Sequence, residues 1–160
     1  MGDNIWLEDR NSVRTPMQWD KTTNAGFSSP SVRDLYTPII ESAAYKPEKV
    51  SVQDQISDND SLLNKIKYMI SVRKCHEAFC CNTFKWVDLK NDHTASYNRE
   101  NGGETILIIN NLSSSEQTIN LNNTQITLSN YSILLYGNGS INLKDQTLVL
   151  KPYQFIWMLI

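Results

Sequence analysis

The chain contains 160 residues, of which 40% are hydrophobic and 20% are charged, and its formal net charge at pH 7 is −2. This is enough material for one ordinary domain, or for a small domain with an appendage. The balanced charge gives no electrostatic reason to expect nucleic acid or an anionic membrane, and we find neither an apolar run long enough to span a bilayer nor a secretory signal. We therefore expect no nucleic-acid partner and no membrane partner.

The first part of the chain, through about Val52, is predicted to be rich in loops. Its first stretch, Gly2 to Phe27, shows neither the period of a strand nor that of a helix. Long loops in compact domains are usually functional or disordered, and the two tryptophans of this stretch argue against disorder. The stretch also carries Arg10 and Arg14. The sequence therefore predicts an ordered, aromatic and arginine-bearing loop that borders a polar ligand.

A helix is predicted after Asp58, which is a natural N-cap, and its apolar residues recur from Leu62 onward. Leu62, Ile66, Met69 and Ile70 recur at helical spacing and form one apolar stripe, while lysines and arginines occupy the other side and the last turns. Such a stripe has to be covered, by the chain's own β part or by another protein surface. We expect it to be partly covered and partly bare, which favours a homo-oligomer or docking to a partner.

The cysteines indicate a reduced compartment. Cys75, Cys80 and Cys81 are odd in number and crowded together, which suits a cytoplasmic protein better than a disulfide framework. His76 lies among them, but four ligands within seven residues match no standard zinc spacing. We therefore expect buried or unreactive thiols, no metal ion and no cofactor.

From about Thr83 the chain is predicted to be entirely β. Short β-branched or aromatic segments alternate with turn residues such as Asn101-Gly102-Gly103, a spacing typical of an antiparallel β-sandwich. The continuous apolar run from Ile106 to Ile109 predicts a central strand that is covered on both faces. Trp86 and Trp157 are interpreted as sandwich core. The strand candidates are Thr83–Val87, Thr94–Arg99, Thr105–Asn110, Gln117–Leu121, Tyr131–Tyr136, Thr147–Leu150 and Gln154–Leu159.

The N-terminal stretch resembles one particular protein family. The strings RTPMQW and NAGFS, within MGDNIWLEDRNSVRTPMQWDKTTNAGFS, are similar to the segment after the eighth strand of the catalytic barrel in the α-amylase family. The continuation LYTPIIESAAYKPEKVSVQDQ is most similar to members that convert maltose into trehalose. The resemblance covers essentially the whole chain but only the last part of such an enzyme. It implies that residues 1–82 are the end of a (β/α)8 barrel, with its last loop and last helix, and that residues 83–160 are the C-terminal β-sandwich.

The resemblance also gives two arginines a role. An arginine offers a planar fork of donors that suits a carboxylate or the vicinal hydroxyls of a sugar. In family members the first arginine of the R-x-x-x-R-T-P pattern reaches the base of the glucose-binding pocket and the second lies nearby. Arg10 and Arg14 occupy these positions, so we expect both to bind substrate. From the residues alone, structural salt bridges to Glu8, Asp9 or Asp20 remain the alternative.

Trp6 and Trp19 have two interpretations. A pyranose presents a flat C–H face, on which an aromatic side chain can stack. Large aromatic side chains more often fill a core, where burial of each contributes a few kcal/mol. From the sequence we favour core positions for both.

No catalytic residue is expected in this chain. Retaining glycoside chemistry uses two carboxylates that are about 5–5.5 Å apart. In the family these carboxylates come from barrel strands that precede the first residue of this chain. Three hypotheses remain: a part of such an enzyme that is inactive alone, a free-standing carbohydrate-binding β-sandwich, or a subunit that docks onto a catalytic barrel of a split α-glucosidase-type enzyme. The carbohydrate-binding module would require an exposed aromatic platform on the β part.

Overall fold

A computed structural model describes Trp6, Arg10 and residues 13–80 and 83–160, the side chain of Asn123 aside. The chain divides into two compact units, Met1–Tyr68 and Met69–Ile160. Among the described residues, no helix combines the length and the apolar character needed to cross a bilayer.

The first unit is mainly loop, as predicted, with one short helix that the sequence did not reveal. Helix α1 spans Val52–Ser57 and begins at Ser51, whose hydroxyl accepts a hydrogen bond from the Asp54 N–H at 3.2 Å. A turn at Thr23–Gly26 contains two non-glycine residues with positive φ, Asn24 at 58° and Ala25 at 54°. The Asn24 side chain donates to the carbonyl oxygens of Ser29 and Val32, and these hydrogen bonds help to hold the unusual turn.

Helix α2 spans Leu62–Cys75. Its first turn is capped by Ser61, whose hydroxyl accepts a hydrogen bond from the Asn64 N–H at 3.2 Å. The prediction of Asp58 as the N-cap was therefore wrong, because Asp58 instead ends α1. The Asn64 side chain donates to the carbonyl oxygens of Gln55, Ile56 and Asp58. These hydrogen bonds satisfy the last carbonyls of α1 and join the two helices.

The apolar stripe of α2 is largely in solvent. Leu62 is 69% exposed, Ile66 44% and Ile70 49%, while Met69 is half-buried. Val72 is the buried residue of the helix. The stripe is therefore partly covered, at Met69, and otherwise exposed, as the sequence predicts.

The second unit contains two antiparallel sheets, which confirms the predicted mainly β fold. The strands are β1 Lys85–Trp86, β2 Thr94–Asn101, β3 Glu104–Asn111, β4 Gln117–Asn120, β5 Ile133–Gly137, β6 Ser140–Asn142, β7 Thr147–Leu150 and β8 Phe155–Leu159. One sheet has the order β1-β2-β3-β8-β5 and the other β4-β7-β6.

Strand β3 is the centre of the larger sheet and is covered on both faces, as predicted. Leu107 and Ile109 belong to the core cluster that side chains of both sheets form. Ile106 and Ile108 point to the opposite face, where they pack with Ala78 of a short 3-10 helix, Glu77–Phe79. A continuous apolar run is what a strand buried on both faces requires.

The two tryptophans of the β part are not in the core between the sheets. Trp86 is 72% exposed on β1, the two-residue edge strand, so its prediction as sandwich core was wrong. Trp157 is half-buried and packs on the outer face of the larger sheet, with its ring 5.0 Å from that of Phe79. The alternation of a strand does not tell which of its faces meets the other sheet, and this explains both errors.

Glu104 fastens the 3-10 helix to β3. Its Oε1 lies 2.9 Å from His76 Nδ1, and its Oε2 accepts a hydrogen bond from the Ala78 N–H at 3.4 Å. The hydrogen bond with the His76 side chain is the largest cause that lowers the pKa of Glu104 below its ordinary 4.5. Because this pKa is lower in the folded protein, the contact stabilises the fold above about pH 4.5, and the stabilisation is lost as the pH falls through the lowered pKa.

We expect Glu104→Gln to lower the urea midpoint at neutral pH, and to lower it by less as the pH falls below 4.5. The measurement is urea unfolding of the original chain and the variant across this pH range. Glu116→Gln is the matched control, since Glu116 is exposed and forms no salt bridge among the described residues. If the difference in urea midpoint between the original chain and Glu104→Gln stayed constant down to about pH 3, the proposed dependence of stability on the Glu104 pKa would be contradicted.

Candidate functional site

The two arginines that the sequence predicts to bind sugar lie at a single turn. The Arg10 carbonyl oxygen accepts hydrogen bonds from the backbone N–H groups of Val13, at 3.1 Å, and of Arg14, at 3.0 Å. Both arginines are exposed. The turn thus brings their backbones together and leaves both side chains accessible.

Arg14 also lines a cavity of about 330 Å³ in the first unit. The polar side chains of its described lining are Arg14, Thr15, Gln18, Ser51 and Gln55. No carboxylate belongs to this lining within the part of the chain that the structure describes. The cavity can therefore donate and accept hydrogen bonds, but it does not supply the carboxylate pair that retaining glycoside chemistry needs.

Gln18 closes the loop around this cavity. Its side-chain amide donates to the carbonyl oxygens of Tyr45, at 3.0 Å, and Val50, at 2.6 Å. Its backbone carbonyl oxygen accepts a hydrogen bond from the Val52 N–H at 2.9 Å. Its Oε1 is buried and has no hydrogen-bond partner among the described residues. A buried acceptor without a partner costs about 1–3 kcal/mol, so a donor at this atom would be stabilising.

The sequence did not reveal this role of Gln18. The residue is part of the RTPMQW string, which served as a marker of the family. The hydrogen bonds of its amide reach residues 27 and 32 positions along the chain. No local pattern predicts such distant partners.

The sequence leaves salt bridges to Glu8, Asp9 or Asp20 as an alternative role for the two arginines. Neither Arg10 nor Arg14 forms a salt bridge with a described residue. The Asp20 carboxylate accepts hydrogen bonds from the Thr22 hydroxyl, at 2.5 Å, and the Thr22 N–H, at 2.8 Å, which lower its pKa. The pairing with Asp20 is thus not formed, while Glu8 and Asp9 lie outside the described residues.

Trp6 and Trp19 are exposed, by 87% and 51% respectively, so the preference for core positions was wrong. The backbone of Trp19 is held on both sides: its N–H donates to Ala25 at 2.9 Å and its carbonyl accepts from Gln53 at 2.9 Å. A partly exposed indole on a fixed backbone is able to stack on a sugar ring.

The cysteine cluster contains two exposed, free thiols, Cys75 and Cys80, while Cys81 lies outside the described residues. His76 is engaged by Glu104. Within the described ranges, no three His, Cys, Asp or Glu side chains are grouped so that they could hold a metal ion.

Comparison with protein families matches residues 3–81 to the catalytic domain of α-amylases and residues 95–156 to the C-terminal domain of the α-amylase SusG. Over 131 residues the chain is 43% identical to a trehalose synthase/amylase of Mycolicibacterium smegmatis. The chain belongs to the α-amylase family. Both arginines and α2 lie within the part that matches the α-amylase catalytic domain.

Other relatives agree with this assignment. A trehalose synthase of Pimelobacter is 40% identical over 125 residues. Both trehalose synthases are matched over 76% of this chain but only 22% of their own length. This chain therefore spans about a fifth of the length of these curated relatives.

A solved structure supports the fold. The Bacillus licheniformis trehalose-6-phosphate hydrolase superposes with a TM-score of 0.72, over 94% of this chain and 26% of the hydrolase, at 22% identity. At this identity the likeness concerns the fold alone. It covers both the loop-rich first unit and the β unit.

Proposed function

We propose that this chain is the C-terminal part of an enzyme that interconverts maltose and trehalose by intramolecular transglucosylation, and that it is inactive alone. The identity of 43% to a trehalose synthase/amylase is the observation that carries this proposal. The matched share of that relative, 22%, leaves most of a catalytic barrel to be supplied by other residues.

The proposed domain organisation follows the family matches. Residues 1–82 form the end of the catalytic barrel, namely the loop after its eighth strand and its last helix. Residues 83–160 form the C-terminal β-sandwich. The family matches at 3–81 and 95–156 support this division. The free thiols Cys75 and Cys80 support a cytoplasmic location.

The proposed reaction is a double displacement at one glucosyl carbon. A carboxylate nucleophile of the barrel attacks C1 of the non-reducing glucose, and a carboxylic acid protonates O4 of the leaving glucose as the α-1,4 bond breaks. The freed glucose turns within the closed pocket. The acid, now a carboxylate, removes the proton from the anomeric hydroxyl of the freed glucose. O1 of that glucose then attacks the glucosyl carbon to form the α,α-1,1 bond, and the carboxylate nucleophile leaves.

Arg10 and Arg14 are the proposed contributions of this chain to substrate binding. Both are exposed at one turn, and neither has a salt-bridge partner among the described residues. Their guanidinium groups are therefore available to sugar hydroxyls or to a pocket carboxylate. Holding the glucosyl unit in place between the two half-reactions is a positioning task, for which a planar donor fork is suited.

The test joins this chain to the N-terminal part of the Mycolicibacterium smegmatis relative, in place of that enzyme's matching segment. We expect the joined protein to form trehalose from maltose, and the 160-residue chain alone to form none. Arg10→Ala in the joined protein should lower kcat/KM about 10- to 100-fold, since a hydrogen bond to a charged group contributes about 1.5–3 kcal/mol.

Arg33→Ala is the matched control, because Arg33 is an exposed arginine of the same unit without a salt bridge among the described residues. It should leave kcat/KM unchanged. Trehalose formation by the chain alone, in proportion to its concentration, would overturn the proposal. Equal losses for Arg10→Ala and Arg33→Ala would remove the assignment of Arg10.

A second candidate is a subunit that docks onto a separately encoded barrel. The exposed apolar face of α2, with Leu62, Ile66 and Ile70, favours it. Mixing the chain with the separately produced barrel distinguishes the two candidates: activity restored by mixing supports docking, and activity confined to the joined protein supports a single polypeptide.

A further inference from the structure

Gln18 is fixed in both its backbone and its side chain. Its Nε2 donates to the carbonyl oxygens of Tyr45 and Val50. Its backbone carbonyl oxygen accepts from the Val52 N–H, one of the first N–H groups of α1, which have no partner within the helix. The residue is therefore joined to the segment that leads into α1 and to the helix itself.

The chemistry of these partners settles the direction of the Gln18 amide. Tyr45 and Val50 both offer carbonyl oxygens, so the amide nitrogen has to face them and Oε1 is turned away from them. Oε1 is buried and has no hydrogen-bond partner among the described residues. A buried acceptor without a partner is destabilising, and a donor that reaches it removes this cost.

Arg14 lines the same cavity of about 330 Å³ as Gln18. It is exposed, and it forms no salt bridge with a described residue. It is also the only charged residue of the described lining. A hydrogen bond from a charged donor is about twice as strong as one between neutral groups. The Arg14 guanidinium is therefore the donor of this lining that suits Gln18 Oε1 best.

Two other amide or hydroxyl side chains of the lining are already engaged at α1. Ser51 Oγ accepts a hydrogen bond from the Asp54 N–H at 3.2 Å. Gln55 Oε1 accepts from the Leu63 N–H at 3.1 Å. These contacts hold both side chains to the helix, whereas the Arg14 side chain is in solvent and able to turn toward the cavity.

We propose that Gln18 is a positioning residue for Arg14. When the sugar binds, Gln18 Oε1 accepts a hydrogen bond from the Arg14 guanidinium, and the remaining N–H groups of the fork donate to the sugar. A guanidinium carries several N–H donors in one plane, which is enough for both contacts. The bond is not formed in this structure, where Oε1 has no partner among the described residues. The inference rests on the proposed role of Arg14 in substrate binding.

A double-mutant cycle in the joined protein tests this role. Gln18→Met keeps the approximate size of the side chain and removes its acceptor and donors. We expect Gln18→Met and Arg14→Ala each to lower kcat/KM about tenfold. The double variant should lose no more than Arg14→Ala alone, because Gln18 acts through Arg14. Losses that multiply to about 100-fold indicate a purely structural role of Gln18 and would overturn the inference.

Gln53→Met is the matched control for the cycle, since Gln53 is an exposed glutamine of α1 that does not line the cavity. It should leave kcat/KM unchanged, and urea midpoints establish that each variant is folded. A loss for Gln53→Met equal to that for Gln18→Met would also overturn the inference.

A titration of the 160-residue chain alone gives a readout that does not depend on catalysis. Gln18→Glu places a carboxyl group where the amide lies, and nuclear magnetic resonance follows its pKa. If Arg14 is within reach, this pKa should be at least about 1 lower with Arg14 present than in the double variant with Arg14→Ala. Arg33→Ala, which removes an exposed arginine of the same unit, should leave the pKa unchanged.

Equal pKa values with and without Arg14 would overturn the inference, even where Gln18→Met fails to fold. An inactive joined protein would instead overturn the proposed maltose–trehalose activity, while the titration still decides whether Gln18 faces Arg14. The two failures are therefore distinguishable.

Discussion

Asn111→Leu is expected to lower the free energy of unfolding of the β unit by about 2–5 kcal/mol, a large part of the usual 5–15 kcal/mol. Asn111 is only 2% exposed. Its amide donates to the carbonyl oxygens of Ser115 at 2.8 Å, Leu150 at 3.2 Å and Lys151 at 2.9 Å. Its Oδ1 accepts from the N–H and the hydroxyl of Ser113. Leucine has a similar size but can neither donate to the three carbonyl oxygens nor accept from Ser113.

Urea unfolding monitored by far-UV circular dichroism measures this effect. Asn110→Ala is the matched control: it is the neighbouring asparagine of the same strand, and one hydrogen bond to the Ala95 carbonyl, at 3.3 Å, is found for its side chain. We expect it to cost about 1 kcal/mol or less. Similar losses for the two variants would mean that the Asn111 hydrogen bonds contribute no more than ordinary strand contacts.

The elements that the sequence predicted well are those whose signal is local. Strand β7 was predicted with its observed bounds, Thr147–Leu150, and the helix predicted from the apolar recurrence that starts at Leu62 is present as α2. The N-cap was misassigned because Asp58 and Ser61 are both good capping residues, and the choice depends on where the preceding helix ends. That helix, α1, has six residues and no buried face, so its sequence carries no helical period.

The features that were missed depend on tertiary contacts. Trp86 is exposed because it lies on an edge strand. The alternation of apolar and polar residues does not predict the order of strands in a sheet. The cavity beside Arg14 is lined by Gln18, whose side-chain amide donates to the distant carbonyl oxygens of Tyr45 and Val50. The role of Arg10 came from a family resemblance rather than from spacing, because loop residues four positions apart have no defined relative orientation. It remains a prediction.

The exposed face of α2 leads to the second large effect, which concerns assembly. Leu62, Ile66 and Ile70 are spaced four residues apart and therefore lie on one face of the helix. They are 69%, 44% and 49% exposed. Full burial of such a side chain contributes about 1.5–3 kcal/mol, so covering all three would favour association by several kcal/mol. We expect the 160-residue chain to form concentration-dependent oligomers in sedimentation velocity, and Ile66→Glu with Ile70→Glu to shift them to monomer.

The two added negative charges require their own control. Tyr36→Glu with Tyr131→Glu introduces the same charges at aromatic residues that are 92% and 90% exposed and lie outside the helix. If the apolar face of α2 drives association, this control still forms oligomers while the helix variant does not. Equal dissociation by both pairs would indicate general charge repulsion. A monomer at every concentration of the original chain would show that three exposed aliphatic side chains on one helical face are tolerated in water, and the argument for docking through α2 would then fail.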